Sequence, residues 1–408
     1  MRVWGFAARI AGVVVVSAIG AAAPLRAQTL PSGPIVIDDG LMTVSGDVSA
    51  SIAPHDPGFF NYTDYEHSAL RLLRVDASAM LKPNEHVALL GEVRSENGDS
   101  PLPYALYIRI RPWIHHDFDI QAGRIPPTFG AFARRTYASD NFLIGYPLAY
   151  QYLTSVRPDS LPANVDDLLR MRGRGWLSTF TIGNTTPDRG VPLASVFRWD
   201  TGVQVHAAND VVDATGAVTV GTISNPLFKE DNAGPQLAGR VALHPATGLI
   251  IGTSVSSGPF VTTTAARGAL GDGHDGEFRQ AAFGADVEYS RDYYIVRFET
   301  ILSRWTLPEV RAPYLDGPLS ALATSVEGRY KLAPGLYVAA RLDHLGFSEV
   351  TGTAIRTTWD APVTRLEVGG GYSLQRNLLL KLSFQHNTRD SVRSRTLNIP
   401  AVQLVFWF

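Results

Sequence analysis

The sequence predicts an all-β fold, a 16-stranded antiparallel β-barrel that crosses a membrane. Apolar and polar residues alternate with a period of two from Leu41 to the C-terminus, a pattern typical of strands with two unlike faces. The alternating segments are about 10–13 residues long, the length that a tilted membrane strand needs. No run of about 18 apolar residues follows the N-terminal segment, so a helical membrane protein is excluded.

Composition excludes several other classes of protein. The 408 residues carry 36 basic and 38 acidic side chains, and this near-neutral balance argues against a nucleic-acid-binding protein. The absence of cysteine excludes disulfide scaffolds, thiolate zinc sites and thiol catalysis. A mean hydropathy of +0.01 without long apolar runs is expected of strands that have one apolar and one polar face.

The first residues predict an export signal. Arg2 and Arg9 flank the start of an apolar stretch over 10–23, and small residues ending at Ala27 supply a cleavage site. We predict a signal peptide over 1–27, cleaved after Ala27, and a mature barrel domain over 28–408. The alternative is an uncleaved N-terminal anchor.

The alternation has two explanations, a soluble β-sandwich and a membrane barrel. The clearest segment places Leu378, Leu380, Leu382 and Phe384 on one face and Lys381, Ser383, Gln385 and Asn387 on the other. A sandwich buries its apolar face, whereas a membrane barrel turns that face to lipid and lines a wet lumen with the polar one. Strand length and the opposite charges on the polar faces favour the barrel.

We predict sixteen strands, an even number as in single-chain bacterial barrels. They cover 41–53, 69–81, 87–97, 103–113, 119–130, 194–208, 214–224, 235–245, 248–259, 280–290, 293–306, 320–332, 335–348, 363–375, 378–389 and 397–408. Short and long connections alternate, as expected where turns lie on one side of the membrane and loops on the other. Counting 173–184 as a further strand would break this alternation, so we do not adopt it; a small hairpin there stays open.

The C-terminal strand resembles the last strand of bacterial outer-membrane barrels, which ends in an aromatic residue, usually Phe. Here Val402, Leu404, Phe406 and Phe408 share one face. Residues 131–193 form a third external loop of some 63 residues that is rich in aromatic side chains. This arrangement resembles that of sixteen-stranded porins, whose third loop folds into the barrel and narrows it. Residues 122–130 resemble a stretch of phosphate-selective porins.

The porin resemblance implies a location, a function and a set of partners. It implies the Gram-negative outer membrane, a water-filled channel for passive diffusion of small hydrophilic solutes, and a possible homotrimer. The expected partners are the lipid bilayer, these solutes and the barrel assembly machinery, with Phe408 as the assembly signal; no nucleic acid and no cofactor are expected. The alternative is a plugged barrel that acts as a surface receptor or adhesin.

The polar faces predict which side chains line the pore. They are Arg74, Arg94, Arg109, Arg111, Arg198, Asp200, Arg240, Asp286, Arg297, Glu299, Glu327, Arg329, Arg341, Asp343, Arg365, Glu367 and Lys381. The expected constriction residues of the third loop are Arg134, Arg135, Tyr137, Asp140, Asp159, Asp166 and Asp167. The spacing of two predicts the ion pairs Arg198/Asp200, Arg297/Glu299, Glu327/Arg329, Arg341/Asp343 and Arg365/Glu367. Arg74, Arg94, Arg109 and Arg111 form a basic wall on neighbouring strands, which predicts a weak preference for anions.

Tyrosines near one end of the strands predict an aromatic girdle at the membrane interface. They are Tyr289, Tyr294, Tyr330 and Tyr372, joined by Phe408. Random placement of aromatic residues is the alternative.

No catalytic or metal site is predicted. His115, His116, Asp117 and Asp119 offer ligand types that suit Zn or Ni, but a solvated turn is the favoured interpretation. The acidic segment 271–277 lacks the ligand spacing of a calcium loop. The sequence contains no Gly-Xaa-Ser-Xaa-Gly and no His-Glu-Xaa-Xaa-His motif, so no enzymatic activity is expected.

Overall fold

A computed structural model describes residues 31–63, 67–391 and 395–408. The predicted signal peptide over 1–27 lies outside these residues. The barrel is built from residues between Gly33 and Phe408, which form one compact unit.

Sixteen antiparallel strands form the barrel, as the sequence predicts. They are β1 (Met42–Ile52), β2 (Leu73–Leu81), β3 (Val87–Glu96), β4 (Leu102–Ile110), β5 (Asp117–Ile125), β6 (Asp200–Ala208), β7 (Val212–Thr219), β8 (Gln236–Ala246), β9 (Leu249–Pro259), β10 (Arg279–Arg291), β11 (Tyr294–Trp305), β12 (Leu319–Ala333), β13 (Leu336–Phe347), β14 (Val363–Gln375), β15 (Leu378–Arg389) and β16 (Thr396–Trp407). Each strand pairs with the next, and β1 pairs with β16, so the sheet is closed. A short strand, Ile35–Ile37, also pairs with the start of β1.

The closure between the first and last strands includes the C-terminal residue. Beyond the last ladder pair, the Gly46 N–H donates to the Phe408 carbonyl at 3.1 Å, and the Phe408 N–H donates to the Gly46 carbonyl at 3.0 Å. The Phe408 ring lies against Gly46, where an added Cβ would meet it at 2.8 Å. Glycine at 46 therefore leaves the space that the terminal ring occupies.

The two strand faces differ in chemistry as a membrane barrel requires. On β15, Leu382 is 56% exposed and Phe384 is 43% exposed, whereas the alternate residues Lys381 and Ser383 are 1% and 7% exposed. Because the sheet is closed, the exposed apolar face is the outside and the charged face is the inside. A soluble sandwich has the reverse arrangement, with apolar side chains inside, and is excluded.

The outward tyrosines lie near the short turns, as predicted. Tyr294 pairs in register with Tyr330, and Tyr372 pairs with Leu336, which follows a two-residue turn. Tyr330 and Tyr372 are each about half exposed. This placement agrees with a band of aromatic rings at one end of the barrel.

Strand boundaries from β8 to β16 fall within one residue of the prediction, whereas the earlier strands deviate. β5 ends at Ile125 rather than 130, because Pro126 and Pro127 cannot donate to the ladder. β6 begins at Asp200 rather than 194, since the amides of Ala194 and Ser195 donate to loop carbonyls instead. β4 ends before Pro112, which leaves the predicted strand residue Arg111 in a turn.

Connections differ in length between the two ends of the barrel. At one end, here called the short-turn end, every connection has six residues or fewer; the other end carries the long ones. The connection between β5 and β6, residues 126–199, is the longest and is called the long loop below. It starts earlier and ends later than the predicted 131–193, because β5 and β6 are shorter than predicted.

The long loop has secondary structure of its own. It contains α1 (Leu148–Gln151), α2 (Val165–Arg170) and a small antiparallel pairing of Ser160–Leu161 with Ile182–Gly183. Residues 173–184 thus add no barrel strand, as predicted. A third helix, α3 (Thr263–Leu270), lies between β9 and β10. Among the described residues, none of the helices is both long and apolar enough to cross a membrane.

Candidate functional site in the barrel interior

Ion pairs on the inner face run across strands. In the β2–β3 register Arg74 lies opposite Glu96 and Asp76 lies opposite Arg94, and these residues pair at 2.8 and 2.5 Å. Side chains opposite one another on paired strands have Cβ atoms only about 5 Å apart. Two of the four arginines of the predicted basic wall are therefore neutralised by carboxylates.

Among the predicted ion pairs along single strands, Arg297/Glu299 is replaced by cross-strand pairs. Arg297 bonds to Glu288 at 2.8 Å and to Glu327 at 3.2 Å rather than to Glu299. Arg341 does bond to Asp343, at 3.0 Å, and also to Glu327 and Glu367. Residues two apart on a strand are separated by nearly 7 Å of backbone, so the neighbouring strand supplies the closer partner.

The other predicted lining residues occupy several environments. Arg240 forms an ion pair with Asp286 at 2.5 Å across β8 and β10. Arg109 is partly exposed on the inner face of β4. Arg198 lies just before β6 rather than on a strand. At the start of β6, the Asp200 carboxylate accepts from loop amides, including those of residues 221 and 227.

Lys381 on β15 holds the start of the long loop. Its ammonium donates to the carbonyl oxygens of Ala138 and Asn141 at 2.5 Å each and of Leu143 at 3.4 Å. The side chain is 1% exposed. One inward lysine thus satisfies three loop carbonyls at once.

Inward side chains of β13 and β14 contact the next part of the loop backbone. Arg341 donates to the Gly145 carbonyl at 2.9 Å, and Arg365 donates to the Tyr146 carbonyl at 3.0 Å. The Glu367 carboxylate accepts from the Gly145 amide at 3.0 Å. A Cβ at position 145 would lie 2.2 Å from Gln385 and 2.7 Å from Glu367, so glycine permits this close approach.

Loop side chains reach carboxylates on further strands. The Tyr137 hydroxyl donates to Glu92 on β3 at 2.7 Å, and the Tyr150 hydroxyl donates to Glu299 on β11 at 2.6 Å. Arg135 forms an ion pair with Glu288 on β10 at 2.9 Å. The long loop therefore contacts inward residues on several sides of the barrel.

Three predicted constriction residues have a different role. Asp159 pairs with Arg157 at 2.8 Å, and Asp167 pairs with Arg170 at 2.7 Å, both within the long loop. Asp166 accepts from the amide and hydroxyl of Thr353, in the loop between β13 and β14. These aspartates stabilise the loops rather than face the inner wall, because the chain around α2 packs against other loops.

A second connection contacts the inner wall, which sequence reasoning did not anticipate. Between β1 and β2, the Phe60 carbonyl accepts from Arg365 at 2.8 Å, and the Thr63 hydroxyl donates to Glu96 at 2.6 Å. Asn61 donates to Gln385 at 3.1 Å. Residues 54–68, between the first two predicted strands, lack periodicity, so this contact could not be predicted from the sequence.

A cavity of about 1030 Å³ lies between the long loop and the short-turn end of β11–β13. Its charged lining residues are Arg135, Asp140, Arg297, Arg329 and Lys331, four basic and one acidic. The Arg329 guanidinium lies 4.2 Å from the centre of the Phe142 ring. Where the loop meets Glu299 and Arg341, by contrast, the enclosed space is only about 30 Å³, room for about one water molecule.

Burial changes the pKa values of the loop charges. Burial, reinforced by Arg297, lowers the pKa of Arg135, and burial raises the pKa of Asp140 against the opposing effect of Lys381. Partial burial favours a raised pKa at Asp159, but hydrogen bonds from Arg157 and Asn184 outweigh it and lower the pKa below its usual value. Asp159 thus remains ionised at a lower pH than an ordinary aspartate.

The closed barrel, its apolar exterior and its charged interior define the barrel fold of bacterial outer-membrane porins. No family model and no curated protein matches the sequence. Solved structures match across the barrel. OmpT of Vibrio cholerae without loop L8 has a TM-score of 0.54 at 13% identity, covering 90% of this chain and 99% of that one.

Two further structures show the same likeness. A trimer form of in-vitro folded OmpT has a TM-score of 0.51 at 12% identity, covering 90% of this chain and 99% of that one. The anion-selective porin from Comamonas acidovorans has a TM-score of 0.53 at 9% identity, with coverage of 90% and 99%. At these identities, the likeness shows a shared fold.

Proposed function

We propose that this protein is a porin-like channel of the Gram-negative outer membrane that passes small hydrophilic solutes by passive diffusion. The observation that carries the proposal is a closed 16-stranded barrel with apolar side chains outside and charged side chains inside. A charged interior stays hydrated, so polar solutes can cross the membrane through it, whereas crossing the lipid would require them to lose their hydration.

The long loop is the proposed constriction of this channel. Its contacts with Lys381, Arg341 and Arg365 attach it to β13–β15. Its contacts with Glu92 and Glu299 attach it to β3 and β11. A loop held on several sides of a barrel narrows the free cross-section and sets a size limit. Arg134, Arg135, Tyr137 and Asp140 are the predicted constriction residues that belong to its first part.

A weak preference for anions is part of the proposal, but with a different basic set. Arg74 and Arg94 are neutralised by carboxylates, and so are Arg135 and Arg297. The preference therefore rests on Arg329 and Lys331, which line the large cavity and form no ion pair among the described residues. Walls of one charge sign set ion preference in pores. Carboxylates elsewhere on the inner face limit the preference to a weak one.

The remaining features of the proposal follow the porin comparison. They are export by a signal peptide over 1–27, assembly guided by Phe408, a homotrimer, and a channel without enzymatic activity or organic cofactor. The matched structure of OmpT in a trimer form supports the homotrimer.

Planar-bilayer recording of the purified protein tests the proposal. We expect stepwise conductance, an increase when residues 140–167 are deleted, and no change when the exposed turn 271–276 is deleted as a control. Unheated electrophoretic mobility and circular dichroism establish that each variant retains the barrel. Electrical silence of the folded wild-type protein would contradict the channel and favour a plugged receptor.

A further inference from the structure

Four titratable side chains meet at the short-turn end of β5, β6 and β7. They are Asp117 and Asp119 on β5, His206 on β6 and Asp213 on β7. Asp119 pairs in register with His206, and Asp117 and Asp213 each pair with Ala208. Since residues two apart share a face, all four side chains lie on the inner face.

The distances in this cluster fit a metal ion better than they fit hydrogen bonds. His206 Nδ1 lies 3.7 Å from Asp119 Oδ2 and 4.0 Å from Asp117 Oδ1. One ligand atom from each of these three residues lies within 4.8 Å of the others. Tetrahedral ligands about 2.1 Å from zinc lie roughly 3.4 Å apart. The two distances from His206 Nδ1 to the carboxylate oxygens are close to this spacing.

Asp213 orients the histidine. Its Oδ2 lies 3.4 Å from His206 Nε2, on the opposite side of the ring from the two β5 carboxylates. Metal-binding histidines characteristically present their second ring nitrogen to a carboxylate, which fixes the proton there. A proton on Nε2 leaves the Nδ1 lone pair directed at Asp117 and Asp119.

A chain of hydrogen bonds holds Asp119 in place. Gln121 donates to Asp119 Oδ1 at 2.8 Å, Gln204 donates to Gln121 at 2.8 Å, and Thr128 donates to Gln204 at 3.0 Å. Asp119 is 4% exposed, and its Oδ2 accepts no hydrogen bond from any described residue. The carboxylate is thus held through Oδ1 while Oδ2 lies toward the histidine, as in a metal ligand that outer residues orient.

The cluster also lacks a cation to balance its charge. Among the residues that the structure describes, no arginine or lysine forms an ion pair with Asp117, Asp119 or Asp213. Arg134 interacts with Asp213 only at longer range, and its guanidinium contacts Thr215. Three carboxylates this close repel one another. A bound divalent cation removes that repulsion.

We propose that His206, Asp119 and Asp117 bind a divalent transition-metal ion of the Zn²⁺ class, with Asp213 as the positioning residue. Imidazole nitrogen favours Zn²⁺ over Ca²⁺ or Mg²⁺, which prefer all-oxygen sites. With three protein ligands, water completes a tetrahedral ion. His115 and His116, the histidines nearest in sequence, are exposed in the turn and do not belong to the cluster.

Zinc titration of the tag-free, detergent-solubilised protein in competition with a chromophoric chelator tests the site. We expect one Zn²⁺ per chain, with affinity at least tenfold weaker in both His206→Gln and Asp119→Asn. Asp213→Asn should weaken binding by about tenfold, because the ring is no longer oriented. Acidification should release the ion, since the ligand must be a neutral imidazole.

His386→Gln is the matched control, because His386 faces outward on β15 and bonds to Asn398 at 2.6 Å; it should bind like the wild type. Unheated electrophoretic mobility and circular dichroism exclude misfolding of each variant. Absence of saturable Zn²⁺ binding, or binding that persists unchanged in both His206→Gln and Asp119→Asn, would refute the site. The measurement needs no conducting pore, so its outcome is independent of the proposed channel.

Discussion

Replacing Lys381 by Met tests whether the long loop is held by the inner wall. The substitution keeps the length of the side chain and removes a donor to the carbonyls of Ala138, Asn141 and Leu143. A hydrogen bond from a charged donor contributes about 1.5–3 kcal/mol, so the two short bonds together contribute about 3–6 kcal/mol. The ammonium no longer has to be desolvated in the variant, which offsets part of this loss.

The expected net loss is about 2–4 kcal/mol of loop-docking free energy. At 1.36 kcal/mol per factor of ten, the undocked population rises by about 30- to 1,000-fold. We expect noisier currents with a higher mean conductance in planar bilayers, and faster proteolysis of the long loop in proteoliposomes. Lys82→Met, at an exposed position in the β2–β3 turn, is the control. Conductance, noise and cleavage rate equal to those of the wild type would refute the reasoning.

Three further predictions concern charge, pH and assembly. Arg329→Gln should lower the anion-to-cation permeability ratio by up to about fivefold. A unit charge about 8 Å away in water changes the energies of an anion and a cation by about 0.5 kcal/mol each, in opposite directions. Reversal potentials in a salt gradient measure this ratio, and Arg356→Gln, in an exposed loop, should leave it unchanged. The lowered pKa of Asp159 means that its stabilisation of the long loop is complete above the ordinary aspartate pKa and is lost as pH falls through the lowered value. Protease protection of the long loop should therefore decline on acidification, and Asp159→Asn should flatten that decline; an identical pH profile would contradict it. Deleting Phe408 removes two main-chain bonds to Gly46 and should reduce the amount of folded protein in the outer-membrane fraction, whereas equal amounts would argue against an assembly role.

The barrel could be predicted from the sequence because apolar and polar residues alternate along its strands. From β8 to β16, alternation alone places every boundary within one residue. The prediction fails where backbone chemistry overrides the alternation: Pro126 and Pro127 end β5, and loop carbonyls bind the amides of Ala194 and Ser195 before β6.

The interior could be predicted only in part. The alternation of side chains along a strand identifies those that point inward, such as Arg74 and Arg341. The partner of each depends on how the neighbouring strands are aligned. Arg74 meets Glu96, 22 residues along the chain, and His206 meets Asp119 across β5 and β6. These contacts depend on strand register and not on the order of residues within one strand, which explains why Arg297 pairs with Glu288 and Glu327 and not with Glu299 as predicted.

The attachment of the long loop has a consequence for how the protein can change. Lys381, Arg341, Arg365 and Glu367 all hold main-chain atoms of residues 138–146, and a main-chain carbonyl or amide is present whichever side chain the residue bears. At the positions in this range whose side chains are not buried, Ser139 and Asp140, the side chain can therefore change while the wall keeps its hold. The contacts that fix the loop backbone are therefore separate from the side chains at these two positions, which can change without loss of the docked structure.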